Sequence, residues 1–224
     1  MAGTIYGIAD WQALDKDSNE RFVGKVTELG LGYQMGAPKF RDTLALGTMG
    51  KPVFLEEWQS QDIVYNKYRP THAAIVNQWR EVQELLPLLM EKNTKYTWKV
   101  FELRHNMVIL PNGMPLLYSG LRWGDDGRSI EYWADQVWNN IYGGLGVENF
   151  VQALARIKVS DAAREVDKEF PVVMHTHDEI VALAPESRAE EAVELIHQEL
   201  IRPPSWAPDI PLDSEGGFDY CYSK

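Results

Sequence analysis

The sequence predicts a mixed α+β fold, mostly helical overall, with a helical region over residues 1–98 followed by a region over 99–224 in which antiparallel strands appear. Three observations carry this. Apolar residues recur at helical spacing in the first half, as in Ile75, Val76, Trp79, Val82 and Leu86. After Lys99 the pattern changes, and residues 107–118 form two short apolar runs around Asn112-Gly113, the dipeptide of a tight hairpin turn. Residues 172–183 repeat the theme, with β-branched and apolar runs flanking the polar tip His175-Thr176-His177-Asp178-Glu179.

Length and composition bound the rest. A chain of 224 residues can bury a sizeable core as one large domain or two smaller ones. Its apolar runs all fall short of membrane-spanning length, and its N-terminus lacks a charged segment followed by an apolar block, so a cytoplasmic location is expected. The single cysteine, Cys221, excludes an intrachain disulfide and a cysteine-built zinc site. A net charge of −11 argues against gripping nucleic acid by bulk electrostatics, although a local basic stripe can still bind phosphate.

Taken in order, residues 1–7 read as the end of a helix stopped by Gly7, which suggests a truncated start. Asp17 and Glu20 have capping-box spacing ahead of a helix over 21–33. At about 100° per residue, Arg21, Lys25, Leu29 and Tyr33 form one slowly drifting stripe. Such a stripe suits an anionic tail at its cationic end and a flat ring at its aromatic end; an ordinary solvated helix face has the same periodicity. Gly30, Gly32 and Gly36 are costly in a helix and suggest close approach of a ligand or a hinge. Helices are expected over 52–69, broken near Arg69-Pro70, and over 71–92, kinked or ended by Pro87.

Residues 124–129 read as a charged loop. A long helix from Glu148 to about Lys168 follows Tyr142-Gly143-Gly144-Leu145-Gly146 and leads into the acidic hairpin, against which it should pack. Ser187 and Glu190 form another capping box, before a helix burying Ala189, Ala192, Val193, Ile196 and Leu200. The Pro- and Gly-rich tail ends in a strand-like aromatic run from Phe218 to Tyr222. At the hairpin tip, adjacent carboxylates can hold a metal or form a solvated acidic turn. Strand alternation keeps Asp178 and Glu179 from pointing the same way unless the tip is irregular, so one is expected to be the main ligand and the other a helper.

Three blocks in order give the chain a family resemblance. Arg21, Lys25 and Tyr33 match Arg-x3-Lys-x7-Tyr, the fingers-helix motif of family A DNA polymerases. Tyr142-Gly143-Gly144, Glu148-Asn149 and Gln152-Ala153-Leu154-Ala155-Arg156 resemble that family's pre-hairpin helix, and His177-Asp178-Glu179 matches its palm motif. Trp206-Ala207 and Glu215-Gly216 are similar to the ending of the bacteriophage type. The resemblance covers nearly the whole chain and implies the C-terminal part of such an enzyme, with helical fingers over 1–98 and part of an antiparallel-sheet palm over 99–224.

By this resemblance Arg21 and Lys25 bind the triphosphate of an incoming dNTP, with Lys25 also among the catalytic groups. Leu29 lies beside the sugar and Tyr33 by the nascent base pair. Asp178 and Glu179 are the catalytic and Mg²⁺-binding acids, His177 lies near the primer terminus, and Gln152 touches the minor groove of a DNA primer-template. The chain departs from the family at Leu29, Leu145 and Ile157, and it lacks the upstream Asp-x-Ser-x-x-Glu strand motif that supplies the second acid. Asp10 is too close to Arg21 to stand in for that acid. A partner chain or an N-terminal part is therefore expected to complete the site, within the host cytoplasm if the protein is viral. The alternative is a noncatalytic subunit or remnant that binds nucleotide or primer-template. A zinc hydrolase motif beginning at His175 and His177 would need Asp at 179 and His at 180, where Glu179 and Ile180 stand.

Overall fold

The computed structural model describes residues 1–15, 17–48 and 50–222. They form two compact units with small antiparallel sheets, an α+β fold as expected. One unit comprises Met1–Thr94, Arg104–Asn106 and Tyr118–Asn149; the other comprises Lys95–Leu103, Met107–Leu117 and Phe150–Lys224.

The first unit opens with α1 (Ala2–Tyr6), stopped by Gly7 in the left-handed conformation as the sequence predicts, and a 3₁₀ turn at Trp11–Ala13. Helix α2 (Asn19–Leu31) has its cap one residue later than expected. Ser18, not Asp17, takes the cap position and accepts from the Arg21 amide at 3.2 Å, while the Asp17 amide is held by Asp15. A Ser hydroxyl in extended conformation satisfies an otherwise unpaired first-turn N–H, which fixes where the helix starts. Helix α2 buries Val23, Val26, Thr27 and Leu31 and meets α1 at Gly24, where a Cβ would stand 2.7 Å from the Ala2 nitrogen. Gly24 is thus the glycine that close packing demands. At Gly30, Gly32 and Gly36 the nearest protein atoms lie 3.4 Å or more from an added Cβ, so packing within the protein does not demand glycine there.

Helix α3 (Ala37–Leu46), which the sequence reading left unassigned, buries Ala37, Phe40 and Leu44. The expected helix over 52–69 begins later, at α4 (Glu57–Gln61), where Glu56 and Gln59 form a true capping box. It continues as a π-helical segment, Asp62–Tyr68, and one turn of α5 (Arg69–Thr71). The break falls at His72 rather than at Arg69-Pro70, because Pro70 sits in a first turn, where its missing N–H does no harm. Helix α6 (Ala73–Leu85) buries Val76, Trp79 and Val82 and tightens into a 3₁₀ turn, Leu86–Met90, at Pro87.

In the second unit, apart from Arg104 at the end of β2, the strands β1 (Lys95–Trp98), β2 (Phe101–Arg104), β3 (Met107–Ile109) and β4 (Pro115–Leu117) form one sheet in that order. Strands β3 and β4 are the hairpin read at Asn112-Gly113, in register Val108↔Leu116. The chain then contributes a three-stranded antiparallel meander to the first unit: β5 (Arg122–Trp123), β6 (Ile130–Ala134) and β7 (Val137–Ile141). The loop 124–129 joins β5 to β6, and Asp126 accepts from the Arg128 and Ser129 amides at 2.8 Å each.

Helix α7 (Gly143–Val166) starts five residues before the expected Glu148, so its glycines lie inside it. A Cβ at Gly143 would stand 1.9 Å from the Trp79 carbonyl oxygen, and one at Gly144 2.3 Å from Gln34 Cβ. Tight backbone approach outweighs the poor helix propensity of glycine here. Two first-turn amides are satisfied from afar, Gly143 by Gln83 Oε1 and Gly144 by Gln34 Oε1, both at 2.8 Å.

From Phe150 onward the second unit builds its core on α7. The hairpin β8 (Val172–Thr176) and β9 (Glu179–Ala182) buries Ile180 against Val159, Ala162 and Ala163, as the expected helix–hairpin packing requires. Helix α8 (Ala189–Ile201) adds Ala192, Ile196 and Leu200 to this core. The box read at Ser187 and Glu190 does not form. A 3₁₀ turn, Glu186–Arg188, leads straight into α8, whose cap residue Arg188 makes no side-chain capping bond. The run from Phe218 to Tyr222 is not a strand. Phe218 and Tyr220 are exposed, and Ser223 and Lys224 lie outside the described residues.

Candidate functional site

The candidate residues fall into two groups, one in each unit. In the first unit, the core contacts of α2 turn the opposite face outward, so Arg21, Lys25 and Leu29 are all exposed. Lys25 follows Arg21 by one helical turn, about 6 Å of rise. Arg21 Nη1 donates to the Leu14 carbonyl at 3.4 Å, while Lys25 makes no hydrogen bond or ion pair among the described residues. The nearby Glu28 is already engaged, by the N-terminal ammonium at 3.4 Å and by His72 Nε2 at 3.3 Å. Two cations near a helix N-terminus, with Glu28 engaged elsewhere and Glu20 the acid left in the first turn, can meet a phosphate group.

Tyr33 lies past the helix end, in the turn after Gly32, and is exposed. The structure holds this turn from both sides. Trp79 Nε1 donates to the Gly32 carbonyl at 3.1 Å, and the Gln34 side chain, on a residue with φ +63°, accepts from the Gly144 amide. Sequence reasoning took Trp79 only as core and passed over Gln34 and Gln83. Their partners lie far along the chain, so no local pattern marks them.

In the second unit the hairpin turns through the two residues His177 and Asp178, with His177 at φ +50° and Thr176 paired with Glu179. Both turn residues are exposed, while Glu179 is half-buried. Cross-strand partners share a sheet face, so His175 and its partner Ile180 point toward α7, and Thr176 and Glu179 point to the opposite face. Asp178 lies in the turn itself, outside the strand ladder, so the alternation expected along a strand does not extend to it. On its own face Glu179 Oε2 accepts from the Tyr222 hydroxyl at 3.0 Å. This tail contact was not visible in the sequence.

On the α7 face, Arg156 Nη1 lies 3.1 Å from His175 Nε2. A guanidinium can only donate, so this His175 nitrogen accepts, and burial together with the Arg156 charge holds the ring's pKa below 6.5. Gln152 is exposed one turn before Arg156 on the same helix face.

Among the described residues no three His, Cys, Asp or Glu side chains converge in a way that could hold a metal ion. Asp178 and Glu179 supply carboxylate oxygens only. That donor set fits Mg²⁺, which is held by one or two carboxylates and completes its shell with water and substrate phosphates. No helix among the described residues is long and apolar enough to cross a membrane.

No family model matches the chain. Over 95% of its length it is 32% identical to the DNA polymerase of Bacillus phage SP02, in an alignment of 232 residues that covers 34% of that polymerase. The chain is thus related to a phage DNA polymerase and spans about a third of the length of that curated relative.

Proposed function

We propose that the chain is the C-terminal, fingers-and-half-palm part of a family A DNA-directed DNA polymerase, which adds dNTPs to a primer 3′ end once the missing acid is supplied from outside these residues. The observation that carries the reading is the hairpin tip, where Asp178 is exposed at a two-residue turn beside Glu179 on a strand anchored to α7 by Ile180. The sequence kinship with a phage polymerase supports it along nearly the whole chain.

In this reading Asp178 is the principal Mg²⁺ ligand and Glu179 its neighbour. Bound Mg²⁺ supplies charge neutralisation on the phosphoryl oxygens and favours deprotonation of the attacking hydroxyl. Arg21 and Lys25 hold the triphosphate through charge-assisted hydrogen bonds, and Lys25 meets the charge that builds on the leaving pyrophosphate. Leu29 lies beside the sugar, and Tyr33 packs against the nascent pair from a turn clamped by Trp79 and Gln34. Gln152 reads minor-groove acceptors common to all correct pairs, and His177 borders the primer terminus. DNA primer-template, dNTP and a polypeptide carrying Asp-x-Ser-x-x-Glu are the partners.

Primer extension tests this. The purified chain alone is expected to give no product, because phosphoryl transfer draws its acceleration from positioning and charge stabilisation on both sides of the ions. Adding the polypeptide with the Asp motif is expected to restore synthesis that Asp178→Asn abolishes. Robust synthesis by the chain alone, lost in Asp178→Ala, would overturn the claim of an incomplete site. A mixture that stays inactive yet binds dNTP would favour the noncatalytic binding subunit.

A further inference from the structure

Arg69 is placed unlike the ion-paired arginines of its unit. Arg41 pairs with Asp42 and Arg122 with Glu131, but Arg69 has no carboxylate or carbonyl partner among the described residues. Its guanidinium carbon instead lies 4.6 Å from the centre of the Tyr65 ring and 5.9 Å from that of Trp79. An aromatic contact keeps a guanidinium oriented while leaving its N–H edge free to meet an anion.

The backbone beneath is unusual. Tyr65 belongs to the π-helical segment Asp62–Tyr68, and the Arg69 amide closes its last turn on the Val64 carbonyl. Such segments are rare and concentrate at functional sites. Tyr65 and Arg69, four residues apart, share one face of this one. The nearest acid on the segment, Asp62, is bonded by Asn66 at 3.0 Å.

The same residues border the turn that carries Tyr33. Trp79 bonds the Gly32 carbonyl, and the Tyr65 hydroxyl lies 4.0 Å from where a Cβ on Gly36 would stand. Tyr33 is 40% exposed and Tyr65 44%, so two open phenol rings and an unpaired guanidinium edge one short loop. Charge opposes an anionic visitor less here than elsewhere. Residues 1–94 hold 10 Lys and Arg against 12 Asp and Glu, whereas the remaining residues hold 12 against 21.

We propose that Tyr65 and Arg69 form a subsite for an unpaired nucleic-acid strand, with a base stacked on the open face of Tyr65 and the adjoining phosphate taken by the Arg69 guanidinium. The subsite rests on the polymerase reading in one respect: the strand leading away from Tyr33 is then the unpaired template. Stacking on an aromatic ring beside a cation is how single strands are held without sequence preference.

The test is fluorescence anisotropy of a dye-labelled oligothymidylate with the full chain at low salt, each variant checked for native circular dichroism. Arg69→Ala and Tyr65→Leu are each expected to weaken binding about tenfold. Arg69→Lys, which keeps the charge and loses the planar contact, is also expected to weaken it. Arg164→Ala, which removes one cation from an exposed position on α7, is expected to change nothing. If Arg69→Ala fails to fold, Arg69→Lys and Tyr65→Leu decide the matter. Wild-type affinity in the folded variants, an equal loss in Arg164→Ala, or failure of the wild type to bind would each overturn the subsite. So would an acidic peptide binding at Tyr65 and Arg69 where the oligothymidylate does not compete. Asp178-dependent primer extension fails or succeeds independently of this titration, so the two readings are separable.

Discussion

Replacing Gly143 by alanine should destabilise the first unit, because the added Cβ would stand 1.9 Å from the Trp79 carbonyl oxygen, a backbone atom that cannot rotate away. Relief requires α7 to lift from α6. Overpacking of this kind costs about 1–3 kcal/mol, occasionally more. The lift also stretches the bonds from the Gly143 and Gly144 amides to Gln83 and Gln34, each worth about 1 kcal/mol. Against this stands a gain of up to about 1 kcal/mol from replacing glycine in a helix. The net loss is roughly 2–4 kcal/mol, a fall of about 1–2 M in the urea midpoint at ordinary slopes. Tryptophan fluorescence during urea unfolding measures it, since Trp79 sits at the contact. Gly30→Ala should act with the opposite sign, because its Cβ would meet only the flexible Met35 Cε at 3.4 Å, and the helix gains about 0.5–1 kcal/mol. An unchanged midpoint for Gly143→Ala, or equal destabilisation by both substitutions, would refute the close-approach account of α7.

Three further outcomes are expected. Lys25→Ala should weaken dNTP binding about tenfold or more in a low-salt titration, as loss of a charge-assisted contact implies, and unchanged affinity would remove Lys25 from the nucleotide site. Isothermal calorimetry should find only weak Mg²⁺ binding to the isolated chain, and strong stoichiometric binding that survives Asp178→Asn would contradict the assignment. The His175 ring should titrate below 6.5 by NMR, held down first by burial and then by Arg156, and Arg156→Gln should raise its pKa. Above 6.5 the ring is neutral in both folded and unfolded chains and contributes nothing. As pH falls below 6.5 the unfolded chain takes up the proton first, so the folded state loses stability until the pH passes the depressed value. A His175 pKa at or above 6.5 would show that Arg156 does not face the ring.

What the sequence by itself determined about this protein is what neighbouring residues decide among themselves. Apolar spacing in α2 and α6, the turn at Asn112-Gly113, the stop at Gly7 and the hairpin over 172–183 all arise from residues within a few positions of one another, and all are found, although Glu179 lies on β9 and only Asp178 of the two acids lies in the turn. The exposure of Arg21, Lys25 and Leu29 follows from the same periodicity, since burying Val23, Val26 and Leu31 turns the other face outward. Tertiary structure decided the rest. Helix α7 begins at Gly143 because α6 and the Gln34 turn press against it, and its first amides find partners 60 and 110 residues away. The Tyr222 contact to Glu179 spans 43 residues and the Arg156 contact to His175 spans 19. A period or a cap is a local balance of backbone and side-chain terms, legible in a short window. A contact between distant residues exists only once the chain has folded, and no window of sequence contains both of its partners.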